Sequence, residues 1–167
     1  MGTFIQIDNN NGSSAKAYGS FYADGNGVLA VQLPSGSGVE DHMKLDTTVV
    51  ASGVTLISNT EIQVSKAAVY NIQFSAQLNK TTGTVDELSI WLDIDGLPID
   101  NTNTKLTLAN NNHLVVAAWN FMTPLDAGSV VRLSWSTSGG HIFLFGEPGI
   151  SIGGTIPPVI VTINEVS

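Results

Sequence analysis

The sequence predicts an all-β domain, a sandwich or a barrel, and three observations carry this prediction. Short segments in which apolar and polar residues alternate recur along most of the 167 residues. Clusters of Gly, Asn, Asp and Ser separate these segments at short intervals, as turns between strands do. No window of about 11 residues combines the i, i+3, i+4 apolar spacing with the capping residues of a helix. About ten short strands are therefore expected, packed face to face or closed on themselves.

The first part of the chain predicts an arm, a flexible joint and short strands. Phe4, Ile5 and Ile7 form a short apolar piece, and residues 9–14 contain only Asn, Gly and Ser, which favour a flexible joint. We therefore expect an N-terminal docking arm with its joint at residues 1–14 and one folded domain at residues 15–167. Turn residues bound the next predicted strands: 18–23, 28–33, 42–48, 54–58 and 61–64.

The clearest alternation in the chain runs from Ala68 to Lys80 and predicts a strand over a hydrophobic core. One face of this strand is apolar: Tyr70, Ile72, Phe74, Ala76 and Leu78. The opposite face carries only neutral polar side chains: Asn71, Gln73, Ser75 and Gln77. Uncharged hydrogen-bonding side chains are typical of a surface that other protein covers.

A second informative strand is predicted at residues 113–123, which are apolar on both faces. One face would carry Val115, Ala117, Trp119 and Phe121, and the other Leu114, Val116, Ala118 and Met122, with Asn120 as the polar exception. Such a strand requires cover on both sides, by helices or by another subunit. Because the sequence predicts no helix, a second copy of the chain is the expected cover.

The remaining strands follow from alternation between glycine-rich or asparagine-rich turns. The sequence Asp95-Gly96 predicts a tight reversal, and residues 146–158 are expected to form a long loop. The predicted strands of this part are 85–95, 105–109, 130–136, 142–145 and 159–166.

Composition and charge exclude several classes of function. The chain has 14 acidic and 6 basic residues, a formal charge of −8, and no cysteine. No basic stripe is present to neutralise phosphates, so nucleic-acid binding is not expected, and thiol chemistry is excluded. No apolar run approaches the roughly 18 residues that cross a bilayer, and no export signal is evident, so no membrane partner is expected.

Candidate metal and catalytic residues lack the spacing that such sites need. Asp93, Asp95 and Asp100 would supply oxygen ligands for calcium, but they match no calcium loop, and a solvated strand end is the favoured interpretation. The three histidines, His42, His113 and His141, each stand alone without a ligand or nucleophile motif. We therefore expect no cofactor, no metal and no catalytic residue.

The three tryptophans differ in their predicted surroundings. The alternation assigns Trp119 and Trp135 to the core, whereas Trp91 shares its strand face with Asp93 and is the candidate for exposure. One exposed aromatic residue gives limited support to a carbohydrate site, which normally pairs an aromatic ring with several polar groups.

Two segments resemble a known family of trimeric jelly rolls. The sequence AVYNIQF, from Ala68 to Phe74, resembles the Gly-x-Tyr-x-Phe-x-Phe strand of the tumour necrosis factor and complement-head domains. The segment LDAGSVVRL, from Leu125 to Leu133, resembles their Leu-x-x-Gly-Asp-x-Val-x-Leu junction, with Ser129 in place of aspartate. The resemblance implies a ten-stranded-type jelly-roll β-sandwich that assembles as a homotrimer.

Longer segments resemble a group of tailed-phage virion proteins with tail, fibre or capsid-decorating roles. These segments are VYNIQFSAQLNKTTG, IWLDIDGLPIDNTNTKLTL, VVAAWNFMTPLDAG and PPVIVTINEVS. The resemblance implies that Tyr70, Ile72, Phe74, Trp119 and Phe121 fill the core of each subunit. It implies a trimer interface composed of Asn71, Gln73, Ser75, Gln77, Val116, Ala118, Asn120 and Met122.

The leading hypothesis is a non-enzymatic bacteriophage structural protein, a homotrimeric capsid decoration or cement protein of knob or head-fibre type. It would be made in the host cytoplasm and bind the major capsid protein on the capsid exterior, with Phe4, Ile5 and Ile7 as docking residues. The chain starts at its own Met and shows neither coiled-coil heptads nor a glycine-repeat shaft, which favours a capsid role over a long fibre. The alternative is a tail-fibre or receptor-binding tip that recognises a host-surface glycan. A hydrolase is the third class, supported only by scattered His and Asp residues.

Overall fold

A computed structural model of the chain describes residues 15–150 and 154–166, and within these residues it contains sixteen strands and no helix. The described residues therefore contain no helix that is long and apolar enough to cross a membrane. The strands are β1 Tyr18–Tyr22, β2 Val31–Gln32, β3 Asp41–His42, β4 Thr47–Ser52, β5 Val54–Ser58, β6 Glu61–Val64, β7 Ala68–Lys80, β8 Asp86–Ile94, β9 Leu97–Pro98, β10 Thr104–Leu108, β11 Val115–Leu125, β12 Val130–Thr137, β13 Ile142–Phe145, β14 Glu147–Ile150, β15 Gly154–Ile156 and β16 Val159–Glu165.

Two seven-stranded sheets form the sandwich, and all named strand pairs are antiparallel. Sheet 1 has the order β2-β13-β7-β16-β1-β4, with β11 paired to β7. The strands β13 and β16 share one side of β7, since they pair with its two ends, so β11 occupies the other side as an edge strand. Sheet 2 has the order β10-β8-β12-β6-β5, with β3 beside β12 and β9 beside β8.

The core lies between the inward faces of the two sheets. Tyr70, Ile72 and Leu78 of β7 are fully buried, and so are Leu88, Ile90 and Leu92 of β8. The alternation of the sequence produces this result because every second side chain of a strand points to the same face. Trp135 of β12 is also buried, as the sequence predicts.

Several predicted strands are confirmed at their exact bounds, and others are not. The segments 54–58, 61–64, 142–145 and Ala68–Lys80 are strands in the structure. The predicted strand 42–48 is wrong as one element because the chain crosses there from β3 in sheet 2 to β4 in sheet 1. Met43 and Leu45 are nevertheless buried between the sheets, which explains why the segment alternates.

Two further differences concern turns. The predicted strand 28–33 is reduced to the two residues of β2, because a turn closed by the Ala30 amide donating to the Gly27 carbonyl occupies its start. The predicted loop 146–158 instead contains the small antiparallel sheet of β14 and β15, with a register shift between Glu147 and Ile150. That irregularity breaks the clean alternation by which a strand is recognised.

Candidate functional site

The outer face of sheet 1 brings the eight predicted interface residues together. In the antiparallel register of β7 and β11, Met122 faces Asn71, Asn120 faces Gln73, Ala118 faces Ser75 and Val116 faces Gln77. The neighbouring strands extend the same face with Ile160, Thr162 and Asn164 of β16 and with Tyr18, Ser20 and Tyr22 of β1. We call these fourteen residues the uncharged face, since none of them carries a formal charge.

The uncharged face has apolar margins and an amide-rich centre. Along the β11 margin Val116 is 55% exposed and Met122 is 61% exposed, and along the β1 margin Tyr18 is 40% exposed. Gln73, Ser75 and Thr162 lie between these margins, on the two central strands. Soluble proteins seldom leave contiguous apolar surface open without a partner for it. The absence of charge from these fourteen residues fits a protein interface, while the polar centre and apolar margins reverse the usual order of apolar centre and polar rim.

A direct side-chain hydrogen bond joins β7 and β11 on the outer face of sheet 1. The side-chain amide of Asn120 donates to the side-chain oxygen of Asn71 over 3.0 Å. Behind it, an aromatic cluster supports both strands from the core. Phe74 and Trp119 meet edge to face with ring centroids 4.6 Å apart, and Phe74 stacks on Phe121 at 6.1 Å. Trp119 is half-buried and packs against the core, so the prediction that it lies in the core is confirmed only in part.

The role of the eight interface residues stays a prediction, because the structure contains a single chain. The candidate docking residues Phe4, Ile5 and Ile7 lie outside the described residues.

The carboxylates considered for calcium are held by protein groups instead. The expectation of a solvated strand end is wrong for Asp93, which is 2% exposed and accepts hydrogen bonds from the Gly96 amide and the Arg132 guanidinium. Arg132 also donates to Glu61. The bond from Arg132 lowers the pKa of Glu61, and the same bond raises the pKa of Arg132. Among the described residues, no three acidic or histidine side chains are placed to hold a metal ion.

The three histidines occupy separate places, but one contact was not foreseen from the sequence. The Nδ1 atom of His42 lies 3.0 Å from the hydroxyl of Ser134, and a Glu40 carboxylate oxygen lies 3.9 Å from the same nitrogen. A catalytic triad needs the serine and the carboxylate on opposite ring nitrogens, and Ser134 is fully buried. This His–Ser pair therefore lacks the geometry of a hydrolase site.

A second surface feature surrounds Trp91 on the outer face of sheet 2. A groove of about 240 Å³ is lined by Trp91, Pro98, Ile99, Asp100, Asn101 and Asn103. Trp91 is half-buried rather than freely exposed. The sequence identified Trp91 and Asp100 but missed Asn101 and Asn103, whose only signal was their place in a polar segment after a turn.

Comparison with known proteins identifies the fold. No protein-family model matches the chain, and no curated protein matches it. The crystal structure of murine APRIL at pH 8.5 matches with 9% identity and a TM-score of 0.53 and covers 91% of this chain and 100% of that chain. A second murine APRIL structure, at pH 8.0, matches with 7% identity, a TM-score of 0.55 and the same coverage. The fold is a tumour necrosis factor-like jelly roll. At this level of identity the likeness concerns the fold alone, and it confirms the predicted fold class.

Proposed function

We propose that the chain is a non-enzymatic, homotrimeric structural protein of a phage virion surface, a capsid decoration or cement protein of knob or head-fibre type. The observation that carries the assembly is the uncharged face of sheet 1. Fourteen neighbouring side chains without a formal charge lie on one face of a chain whose net charge is −8. Charge is kept off this face although the rest of the molecule is acidic.

Covering the uncharged face offers a favourable free energy of the right size for assembly. If Val116, Ala118 and Met122 of this face and the adjacent Leu114 each lose about 50 Å² of apolar surface, the gain is on the order of 5 kcal/mol per subunit before ordering costs. The resemblance of the sequence to the tumour necrosis factor family implies a trimer, and this supports three copies over two.

The virion role is supported by the resemblance of four long segments to tailed-phage virion proteins. The arm at residues 1–14 would dock on the major capsid protein by strand addition or by burial of Phe4, Ile5 and Ile7. The absence of a serine–histidine–carboxylate arrangement around His42 supports a structural role over a hydrolytic one.

Two experiments test the two parts of this proposal separately. Light scattering of the purified protein at micromolar concentration should give three times the 17.5 kDa mass of one chain, and a monomer would contradict the assembly. Virions carrying this protein without residues 1–14 should lose it from the capsid, as measured by gel densitometry of purified particles. Full occupancy without the arm would contradict the docking role.

A receptor-binding tip is the second candidate function, and the groove at Trp91 favours it. Cryo-electron microscopy of the virion distinguishes the two candidates, since a decoration protein would lie on the capsid and a tip would lie at the end of the tail.

A further inference from the structure

We propose that the groove beside Trp91 binds a neutral sugar ring of a surface glycan. This inference rests on the second candidate function, the receptor-binding tip, for which it names the ligand class, and it does not depend on assembly. Leu88, Ile90 and Leu92 of β8 point into the core, so Trp91 lies on the outward face of sheet 2. The uncharged face belongs to sheet 1, so the groove lies on the other sheet of the sandwich.

The groove is built by a segment that folds back on β8 and is held there by specific bonds. The amide of Ile99 donates to the Leu92 carbonyl over 2.9 Å, and the Leu92 amide donates to the hydroxyl of Thr102 over 3.1 Å. That hydroxyl in turn donates to the Ile99 carbonyl over 2.7 Å. The walls of the groove are therefore fixed before any ligand arrives, which lowers the entropic cost of binding.

The chemistry of the lining fits a sugar ring. The indole nitrogen of Trp91 is buried, so the accessible part of this half-buried ring is its carbon surface. A flat apolar surface suits the C–H face of a pyranose, and the groove is large enough for one small ring. Asn101 and Asn103 are exposed, and their amides offer both donors and acceptors to hydroxyl groups. Asp100 adds an acceptor.

The charge of the groove selects against anionic sugars. Asp100 is the one charged residue in the lining, and the chain as a whole carries −8. Lys105, on the neighbouring strand β10, already pairs with Glu87 at 3.0 Å. A sialic acid or a phosphorylated sugar would meet repulsion without a free cation from this strand, whereas a neutral hexose would not.

The test uses the full-length protein and saturation-transfer NMR with glucose, galactose, rhamnose, N-acetylglucosamine and sialic acid as probes. We expect transfer to at least one neutral sugar, with a Kd on the order of millimolar, as is usual for so few ligand atoms. Trp91→Ala should weaken that binding at least tenfold, and Asn103→Ala, at an exposed position, should weaken it severalfold. Asn59→Ala is the matched control, since Asn59 is an exposed asparagine outside the groove.

The outcomes are distinct from those of the assembly experiment. No transfer to any neutral sugar would overturn the proposal, and so would equal binding of sialic acid. Unchanged binding by both Trp91→Ala and Asn103→Ala would also overturn it, with Asn103→Ala keeping the test valid if Trp91→Ala fails to fold. A monomer that binds sugar would overturn only the assembly, and a trimer that binds none would overturn only this inference.

Discussion

The side-chain amide of Asn120 on β11 donates to the side-chain oxygen of Asn71 on β7, and this pair lies within the uncharged face of sheet 1. Met122 and Val116 flank it along the edge strand, and both are more than half exposed in the single chain. Polar groups that other protein covers must keep a hydrogen-bond partner, and this pair supplies one within the subunit. One N–H of Asn120 and the side-chain oxygen of Asn71 would therefore keep a partner if a second subunit covered this face.

Replacing Ala118 by lysine should disrupt assembly. Ala118 faces Ser75 midway along the β11 margin of the face, and a lysine there would place one ammonium group per subunit in the covered surface. Burying an unpaired charge costs several kcal/mol, so we expect soluble monomer or aggregate in place of trimer. Light scattering after size-exclusion chromatography measures the outcome.

The matched control for this substitution is Ala127→Lys, at an exposed position in the turn after β11. This variant should keep the mass of the parent protein. A stable trimer of Ala118→Lys would show that the face is not the interface.

The Asn71–Asn120 pair should show energetic coupling in the assembled protein. Asn120→Leu leaves Asn71 without its partner in a covered surface, which costs about 1–3 kcal/mol. Asn71→Leu together with Asn120→Leu removes both groups and should cost less than the sum of the single changes. Dissociation on dilution, followed by analytical ultracentrifugation, gives the three free energies.

A coupling of about 0.5–3 kcal/mol is expected for a contacting pair. The combination of Asn71→Leu with Asn59→Leu supplies the comparison, because Asn59 lies outside the uncharged face. The free-energy changes of Asn71→Leu and Asn59→Leu should add to within about 0.5 kcal/mol. Strict additivity for Asn71 and Asn120 would mean that water covers the pair.

The sequence predicts the faces of strands well where a strand is long and lies over the core. The bounds of β7 and the split between its Ile72 side and its Gln73 side both follow from strict alternation, because one residue of slip would reverse the whole strand. The same rule identifies the outward residues of β11. What the structure adds to these predicted faces is the register between β7 and β11. In that register Asn120 lies opposite Gln73, and its side chain contacts Asn71.

The alternation rule does not predict contacts between segments that are distant in sequence. The groove at Trp91 depends on Thr102 bonding back to Leu92, and the burial of Asp93 depends on Arg132, 39 residues away. Neither position carries a local signal, since a polar residue near a turn is normally solvated. The candidate site was therefore predictable on sheet 1, where it is one repeated pattern, and not on sheet 2, where it is a set of tertiary contacts.

Phe74→Ala should destabilise the domain strongly. Phe74 is 4% exposed and contacts both Trp119 and Phe121, so its removal leaves a cavity behind the two strands of the uncharged face. Truncation of a buried phenylalanine costs about 3–5 kcal/mol. Urea unfolding followed by tryptophan fluorescence measures the loss. Phe143→Ala, at a half-buried position on β13, is the control and should cost clearly less. A loss below about 1 kcal/mol for Phe74→Ala would contradict the packing of this cluster.

Asp86 should make the stability of the domain depend on pH. Its buried carboxylate accepts bonds from the amides of Gly139 and His141 at 2.6 and 2.8 Å and from the hydroxyl of Ser138 at 2.9 Å. Burial raises the pKa of Asp86, but the bonds from His141, Ser138, Gly139 and Glu87 outweigh it, and the net pKa lies below the ordinary 3.8. The unfolded chain therefore binds this proton more readily than the folded chain. The stability from Asp86 is fully present above the ordinary pKa and is lost as pH falls through the lowered pKa of the folded state.

Asp86→Asn tests this assignment. The side-chain nitrogen of asparagine cannot accept a hydrogen bond, and in place of Oδ2 it would face the backbone amides of His141 and Ile142, which donate to Asp86 in the parent protein. We expect a loss of about 1–3 kcal/mol at pH 7, measured by urea unfolding. The difference in free energy of unfolding between Asp86→Asn and the parent protein should narrow as pH falls below 3.8, because the unfolded parent chain binds the proton there before the folded chain does. Asp126→Asn, an exposed position, should change stability by no more than about 0.5 kcal/mol. A difference between Asp86→Asn and the parent that stayed constant from pH 7 to pH 3 would mean that the carboxylate charge is not what these donors stabilise.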